Sequence, residues 1–366
     1  MKVRVGDLTK IRTGKLDANA SSETGEYPFF TCSKEPLKIS TYSYDCECVL
    51  VAGNGDLNVK YYNGKFDAYQ RTYIIEDNSS GKICMLYLYY YMESYIEELR
   101  KQSIGGVIKY IKLGNLTDAL IELPSVYEQK AIVEILGKIK NIINKHNKEI
   151  SNLDELIKAR FVEMFGTLSD NENGFDVVII DDVCSLIKDG THQTPQYIED
   201  KEEGYKFLSS KDVMSQKIDW SKIKYIPADL HEKLYATLKP QRNDILMSKN
   251  GVNYGVAAIN DTDEVFDIYV SLALLRPKEM IDPIFFRCVI NNPETKRQFD
   301  SSIKGVGVPN LHLSEIKKTK IFLPPMKLQK EFVNFVKQVD KSKFEVQKSL
   351  EKTQQLYDSL MQKYFG

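Results

Sequence analysis

The chain has little of what metal sites and disulfide frameworks require. It contains four histidines, and its six cysteines form no C-x-x-C pair. Structural zinc sites usually draw on such pairs, and disulfide-rich domains are short and cysteine-dense. We therefore expect no metal site, and we expect the six thiols to stay reduced, as in a cytosolic protein.

Long apolar runs are also absent. The first residues, 1–7, lack the apolar core of a signal peptide. The longest apolar run, 83–92, is rich in tyrosine and much shorter than the roughly 20 residues that cross a bilayer. These features predict a soluble, cytoplasmic protein without a membrane partner.

An excess of charge of either sign is missing as well. Fifty Lys and Arg residues balance 51 Asp and Glu residues, which leaves a net charge of -1. The overall charge therefore does not indicate a nucleic-acid partner, and any such site must be a local patch.

No catalytic motif is recognisable. There is no G-x-G-x-x-G after a strand and no phosphate-binding G-x-x-x-x-G-K-S/T. The segment 323–326 lacks the polar first residue of an amino-methyltransferase tetrapeptide, and the acidic run 199–203 is typical of a solvated loop rather than a nuclease centre. We predict no catalytic residue, so the chain is not an enzyme by itself and binding is left as its function.

What the chain does have is a long duplicated stretch. The landmarks Leu123-Pro124, Gln129-Lys130 and Phe165-Gly166 recur when 200 is added to each number. Between them, apolar residues recur in steps of three and four, the spacing of a helix packed along another helix. The stripes are Ile132, Leu136, Ile139, Ile143, His146, Ile150, Leu153, Ile157 and Met164, and then Phe332, Val336, Val339, Val346, Leu350, Tyr357, Leu360 and Tyr364. The pattern predicts spacer helices at 123–166 and 323–366.

The remainder of the chain also repeats. Residues 1–122 predict a globular domain with short strands and a helix at 85–101, residues 167–174 a linker, and residues 175–322 a second, diverged copy of the domain. Paired landmarks in the two copies are Gly14 with Gly190, Lys34 with Lys211, and Asn54 with Asn250.

The short linker predicts how the two helices run. Each helix would span about 58 Å, whereas eight linker residues reach at most about 28 Å. A parallel pair would need the second domain to bridge the gap, so we favour an antiparallel pair. The predicted fold is α+β (mixed α/β): two globular domains at opposite ends of an antiparallel two-helix coiled coil, related by a pseudo-twofold axis.

Polar residues on glycine-rich loops are the candidate binding site. Arg and Lys can hold phosphates or guanine, Asn and Gln can pair with adenine edges, and two related domains suit two DNA half-sites. Each residue taken singly could equally belong to an ordinary solvated loop. The candidates are Lys34, Asn54, Tyr69, Gln70, Arg71, Lys109, Thr191, His192, Thr194, Lys211, Lys249, Asn250, Asn253 and Lys304.

This layout resembles the specificity (S) subunit of type I restriction-modification enzymes. That family has two variable target-recognition domains, each followed by a long helix that a Leu-Pro…Gln-Lys segment introduces. The second copy has the usual Leu323-Pro324-Pro325, whereas the first departs from it with Ser125-Val126. The segments 68–73 and 248–251 are also similar to such domains.

The resemblance implies a division of labour. The chain would read a bipartite, asymmetric DNA sequence, one half-site per domain. Two modification (methyltransferase) subunits would clamp the helices and carry S-adenosylmethionine, and restriction subunits using ATP and Mg could join them; this chain itself would hold no cofactor. The outer helix faces would dock these partners, for which Ile142, Leu156 and Phe161 are extra apolar positions.

Other functions stay open at this point. The chain could be a coiled-coil adaptor without sequence preference, a DNA-binding protein that acts without restriction partners, or an autonomous methyltransferase or nuclease.

Overall fold

A computed structural model describes residues 2–199, 202–303 and 309–366. The chain packs into two compact units: residues 1–149 with 346–366, and residues 150–345. Each unit contains one of the predicted globular domains and a part of each long helix.

The first unit is a mixed α/β body. Its elements are β1 (Lys2–Arg4), α1 (Val5–Leu8), β2 (Thr9–Thr13), a 3-10 turn (Ala18–Ala20), β3 (Tyr27–Phe30), β4 (Leu37–Ile39), β5 (Tyr44–Ala52), β6 (Val59–Ala68), β7 (Thr72–Asp77), α2 (Met85–Gln102), α3 (Leu113–Thr117), β8 (Leu120–Glu122) and the start of α4 (Val126–Phe165).

Its sheet has the strand order β2-β7-β5-β6-β3-β4. All neighbours are antiparallel except β3 and β6, which run parallel. The apolar run at the end of β5 is buried, because α2 covers one face with Tyr87, Leu88 and Met92. Strands β1 and β8 form a separate pair just before α4. The helix predicted at 85–101 is confirmed.

The second unit repeats this plan with insertions. Its elements are β9 (Asp176–Ile179), α5 (Ile180–Val183), β10 (Cys184–Asp189), β11 (Tyr205–Leu208), a 3-10 turn (Ser210–Val213), β12 (Lys224–Ile226), α6 (Ala228–Tyr235), β13 (Ile245–Ser248), β14 (Ala257–Ile259), β15 (Phe266–Ile268), β16 (Leu272–Pro277), α7 (Pro283–Ile290), α8 (Pro293–Ser302), α9 (Leu313–Lys318), β17 (Lys320–Leu323) and the start of α10 (Met326–Phe365).

Its strands form the sheets β10-β16-β13-β14, β12-β11-β15 and β17-β9. The long strand β6 of the first unit has two short counterparts here, β14 and β15. Strand β11 pairs in parallel with β15, with Phe207 opposite Asp267, just as β3 pairs with β6 with Phe29 opposite Asp67. The predicted duplication is therefore confirmed by strand order and register.

Two glycines explain part of the shared sequence pattern. A Cβ on Gly14 would lie 2.1 Å from the Ala68 carbonyl oxygen, and a Cβ on Gly190 would lie 2.0 Å from that of Ile268. No side chain fits so close to a backbone atom, so both domains need glycine where β2 or β10 passes the end of a parallel strand.

Both long helices form where they are predicted. All members of the two apolar stripes are buried or half-buried. Ser125, where the first copy departs from the second proline, forms a capping box: its Oγ accepts from the Glu128 amide at 3.3 Å, and Glu128 Oε2 accepts from the Ser125 amide at 2.9 Å. Pro325 precedes α10 at the same position, so two different residues start the two helices.

The helix directions are antiparallel within each unit. In the second unit Asp154 forms an ion pair with Lys343, and the ring centroids of Phe165 and Phe332 lie 5.5 Å apart. A later residue of α4 therefore meets an earlier residue of α10, as in an antiparallel pair. In the first unit Ile132 near the start of α4 and Phe365 at the end of α10 pack on the same core. The predicted direction is confirmed.

One helix residue is placed differently from the expectation. Phe161 does not lie on an outer face: it is 5% exposed and contacts Phe285 and Phe332. The heptad pattern could not show this, because Phe285 comes from α7 of the globular domain. Ile142 and Leu156 are exposed as expected. Across the described ranges, no helix is long and apolar enough to cross a membrane.

Candidate nucleic-acid interface

Three loops of the first unit meet at one edge of its sheet. The Gly53 amide donates to the Arg71 carbonyl at 2.8 Å, and the Ile111 amide donates to the Gly53 carbonyl at 2.9 Å. The Gly55 amide donates to the Lys109 carbonyl at 3.0 Å. The turn after β5, the turn after β6 and the loop after α2 are thus tied together by their backbones. We call this cluster, residues 53–56, 69–71 and 103–110, the first loop cluster.

Backbone geometry demands glycine in this cluster. A Cβ on Gly53 would lie 2.3 Å from the Arg71 carbonyl oxygen, and Gly55 has a φ of +68°. Asn54 sits between them and forms a bridge with Tyr110. The structure therefore brings together Asn54, Arg71 and Lys109, which are far apart in sequence.

The charges in the first loop cluster are unevenly paired. Lys34 is exposed and lies 3.8 Å from Asp56, whose other oxygen is 3.1 Å from Arg100. Within the part of the chain that the structure describes, neither Arg71 nor Lys109 has an ion-pair partner, and both are exposed. Two cations are therefore available at this edge for phosphates or base edges.

Two further candidates flank Arg71. Gln70 donates through Nε2 to Asp17 at 2.7 Å, and half-buried Tyr69 forms a parallel bridge with Leu16. Both therefore hold the loop after β2 against the first loop cluster. Gln70 keeps an exposed side chain.

The second unit has an equivalent cluster on the same backbone frame. The Lys249 amide donates to the Ser271 carbonyl at 2.8 Å, and the Leu311 amide donates to the Lys249 carbonyl at 2.9 Å. The Gly251 amide donates to the Pro309 carbonyl at 3.1 Å. We call residues 189–194, 209–211, 249–253, 269–271 and 309–310 the second loop cluster. Lys304 lies outside the described residues.

Lys249 is buried, which differs from the exposed lysine that the sequence pattern predicts. Its side chain is 5% exposed, and its Nζ lies 2.7 Å from Asp189 Oδ2. His192 lies 3.5 Å from the same oxygen and is exposed. Lys249 therefore positions the loop that carries His192 rather than presenting its own charge to solvent.

Other candidates in the second loop cluster are partly engaged. Lys211 contacts buried Asp212 and donates to the Lys222 carbonyl at 3.0 Å. Thr191 is half-buried and donates through its amide to the Ile268 carbonyl at 3.0 Å. The Thr194 hydroxyl is 3.3 Å from the Tyr269 hydroxyl.

The two asparagines of this cluster that the sequence predicted as contacts behave differently. Asn250 forms a bridge with Asn310, and its Oδ1 is buried without a hydrogen-bond partner among the described residues. Asn253 is exposed, and its carbonyl accepts from the Ser248 hydroxyl at 2.7 Å. Asn253 is thus the freer side chain.

The sequence did not predict two residues of this cluster, Tyr269 and Asp189. Tyr269 occupies the place of Tyr69: the two form parallel bridges with Thr191 and Leu16 respectively. The 200-residue offset that relates the helices also relates these tyrosines and could have found Tyr269. Asp189 was not foreseen, since nothing local marks it as the partner of a lysine 60 positions away.

A buried acid-base pair supports the strand beneath the second loop cluster. His231 Nδ1 lies 2.6 Å from Asp267 Oδ2, and the His231 ring stacks on Tyr205 at 3.7 Å. Burial raises the pKa of Asp267, and the hydrogen bond from His231 opposes that rise. In the first unit the equivalent Asp67 accepts from the Ser43 hydroxyl at 2.7 Å instead.

The repeated α/β fold, with one loop cluster in each copy, defines a protein with two related binding heads. The family model of the type I restriction modification DNA specificity domain matches residues 1–153 and 172–356. The chain therefore belongs to that family, and the resemblance and fold class predicted from the sequence are confirmed. It is a sequence-specific DNA-recognition subunit and not itself the catalyst.

Individual relatives agree with this assignment. The chain is 27% identical to the specificity subunit of the type I restriction enzyme EcoDI of Escherichia coli, over 99% of this chain and 87% of that protein. It is 24% identical to the MjaVIII specificity subunit of Methanocaldococcus jannaschii, over 92% of this chain and 85% of that protein.

Solved structures share the fold. The S subunit of a type I restriction-modification system from M. genitalium superposes with a TM-score of 0.61 at 15% identity, covering 100% of this chain and 96% of that one. A chain from a study of complex assembly and conformational transition of the type I system gives a TM-score of 0.53 at 16% identity, covering 100% and 97%.

Proposed function

We propose that each loop cluster reads one half of a bipartite, asymmetric DNA target, and that the chain thereby directs methylation and cleavage by partner subunits. One observation carries this proposal: the same backbone frame holds different side chains in the two units. Arg71 and Ser271 occupy one equivalent position, and Asp56 and Val252 another. Two equivalent backbone frames that carry different side chains are suited to two half-sites of different sequence.

The chemistry of these positions differs enough to separate bases. An arginine can bind guanine through two hydrogen bonds, an acidic side chain can accept from cytosine, and an apolar one can contact the thymine methyl group. The two units can therefore recognise different bases, because Ser271 takes the place of Arg71 and Val252 the place of Asp56.

The partners are two modification subunits and, in the complete enzyme, restriction subunits. We assign S-adenosylmethionine to the former and ATP and Mg to the latter, in the cytoplasm. Support comes from exposed apolar side chains on the long helices, which offer contact area for other proteins. These are Ile135, Ile142, Leu156, Val162, Phe344 and Leu356.

Partner subunits also account for the chain's charge. With a net charge of -1, the chain offers only local cations to a polyanion whose affinity depends on neutralising many phosphates. Modification subunits that embrace the DNA would supply the remaining contacts.

Co-expression with the products of the neighbouring genes, among which we expect a modification subunit, tests the proposal. Mapping methylated bases in the host genome should show a split target, with two specified half-sites and an unspecified spacer. Methylation at an unsplit sequence contradicts two-headed reading. A complex that forms but selects no sequence from randomised DNA supports the adaptor function instead.

A further inference from the structure

The most exposed aliphatic side chains of the described residues lie in the two loop clusters, one in each. Val107 is fully exposed and Val252 is 84% exposed. Single exposed apolar side chains are common on protein surfaces, but these two lie in the loop clusters that we propose to bind DNA. The two valines lie on different loops, since Asp56 occupies the place of Val252 in the first unit.

Val107 is held at the tip of a braced loop. Ile104 and Tyr110 exchange backbone hydrogen bonds of 3.0 and 2.9 Å, which close the loop at its base. Gly105, with a φ of +117°, allows the chain to reverse there. Tyr110 also bridges to Asn54, so the base of the Val107 loop is fixed to the first loop cluster.

Val252 projects from a tight turn of the second loop cluster. Gly251 precedes it with a φ of +81°, and Gly255 follows with a φ of +87°. The Ser248 hydroxyl donates to the Asn253 carbonyl at 2.7 Å and clamps the turn from inside. The turn is therefore held in shape around a valine that itself touches little of the protein.

Each valine has a polar neighbour that can bind DNA, and Val107 also has the apolar neighbour Ile108, which is 63% exposed. Exposed Lys109 stands two positions from Val107, and exposed Asn253 follows Val252. A cation places a phosphate nearby, and an asparagine can pair with an adenine edge. The apolar feature that a base pair offers beside such groups is the C5 methyl of thymine in the major groove.

We propose that Val107 and Val252 each contact a thymine methyl group, one in each half-site. This inference rests on the proposed function and adds a base type to each loop cluster. Each valine acts by excluding water from one methyl group, so its contribution is modest and specific to one position.

Replacing thymine by deoxyuridine removes that methyl group and changes nothing else on the base. In the mapped target, deoxyuridine is introduced at one thymine at a time, and binding by the complex with the modification subunit is measured by competition. We expect one position in each half-site to weaken wild-type binding about four-fold, the value of one buried methyl group. Val107→Ala should lose this sensitivity in one half-site, and Val252→Ala in the other.

A control variant separates this effect from general damage. Val177→Ala, at a 45% exposed valine of β9, should keep both sensitivities. If Val107→Ala and Val252→Ala weaken assembly with the modification subunit and leave the deoxyuridine effect intact, the valines contact protein and the inference is wrong.

Loss of the thymine contact and loss of two-headed recognition give different results. A wild-type complex that methylates a split target but tolerates deoxyuridine at every position overturns the thymine contact alone. A half-site without any thymine overturns it for that unit. A complex that methylates no split target overturns the proposed function itself.

Discussion

Gln129 and Gln329 make the same three hydrogen bonds in their separate units. Gln129 accepts at Oε1 from the Cys84 amide at 2.8 Å and donates through Nε2 to the carbonyls of Lys82 and Pro124, each at 2.9 Å. It is completely buried. The first glutamine therefore ties the start of α4 to the loop that leads into α2.

The second glutamine makes the three equivalent hydrogen bonds in its own unit. Gln329 accepts from the Asp282 amide at 2.8 Å and donates to Met280 at 3.1 Å and to Pro324 at 2.8 Å. Leucine at this position would remove the partner of one buried and two partly buried backbone groups, and an unpaired buried group costs about 1–3 kcal/mol. We expect Gln329→Leu to lower the free energy of unfolding by at least about 2 kcal/mol in denaturant titrations.

Gln354 offers a matched control. Its amide donates to Asp358 at 2.8 Å at an exposed position of α10. Gln354→Leu should change stability by less than about 0.5 kcal/mol. Equal losses in both variants would show that the buried hydrogen bonds do not carry the effect.

The aromatic packing around Phe332 tests the helix arrangement of the second unit. Phe332 is fully buried against Phe161, Phe165 and Phe285. Phe332→Ala should cost about 3–5 kcal/mol, because it leaves a cavity in a packed core. Thermal unfolding followed by circular dichroism measures the loss.

Phe344, on the same helix, separates stability from partner binding. Its side chain is 59% exposed. Phe344→Ala should leave unfolding unchanged and weaken assembly with the modification subunit, which co-purification measures. Undiminished assembly would remove Phe344 from the docking surface.

The Lys249–Asp189 pair predicts an effect confined to one half-site. Lys249→Met leaves the Asp189 carboxylate, whose side chain is 20% exposed, without its main partner. Loss of one member of a buried ion pair costs about 3 kcal/mol. We expect lower stability and weaker binding at the half-site of the second unit only. Pairing the change with Asp189→Asn should recover part of the stability, since no charge is then left unpaired.

The roles of Arg71 and Lys109 can be distinguished by how DNA binding depends on salt concentration and on target sequence. Removing a side chain that binds a phosphate lowers the slope of log affinity against log salt by about 1 and affects all sequences alike. Removing a side chain that binds guanine relaxes one position and costs about 1–3 kcal/mol. We expect Lys109→Ala to behave in the first way and Arg71→Ala in the second, as measured by binding titrations at several salt concentrations. Lys138→Ala, at an exposed i,i+4 pair on α4, should do neither.

Exchange of a whole domain tests the division of labour. Replacing residues 1–122 by the corresponding domain of another specificity subunit should change one half-site of the methylated target and leave the other intact. A change in both half-sites would contradict one domain reading one half-site.

Repetition explains why much of the fold could be predicted from the sequence. The heptad stripes and the Leu-Pro and Gln-Lys landmarks placed both long helices, because local periodicity fixes a helix without knowledge of its partner. Burial of Phe161 could not be predicted in this way, because Phe285 belongs to a different element. The break of the long β6 into β14 and β15 is likewise set by an insertion with no local period.

The candidate site was predicted in part for the same reason. Loop glycines located Asn54 and Asn250 correctly at equivalent turns. Linear reading could not tell buried Lys249 from exposed Lys34, since the difference lies in Asp189, distant in sequence. It also gave no weight to Val107 and Val252, because an isolated valine in a loop carries no pattern.

The first compact unit combines segments that lie far apart in the chain. The ring centroid of Phe365 lies 5.1 Å from that of Tyr87 and 6.3 Å from that of Tyr91, within the unit that also holds residues 1–149. The distant segment that carries Phe365 therefore completes the packing around Tyr87 and Tyr91 of α2. Formation of the last turn of α10 is thus coupled to the folding of a domain that begins the chain's first unit.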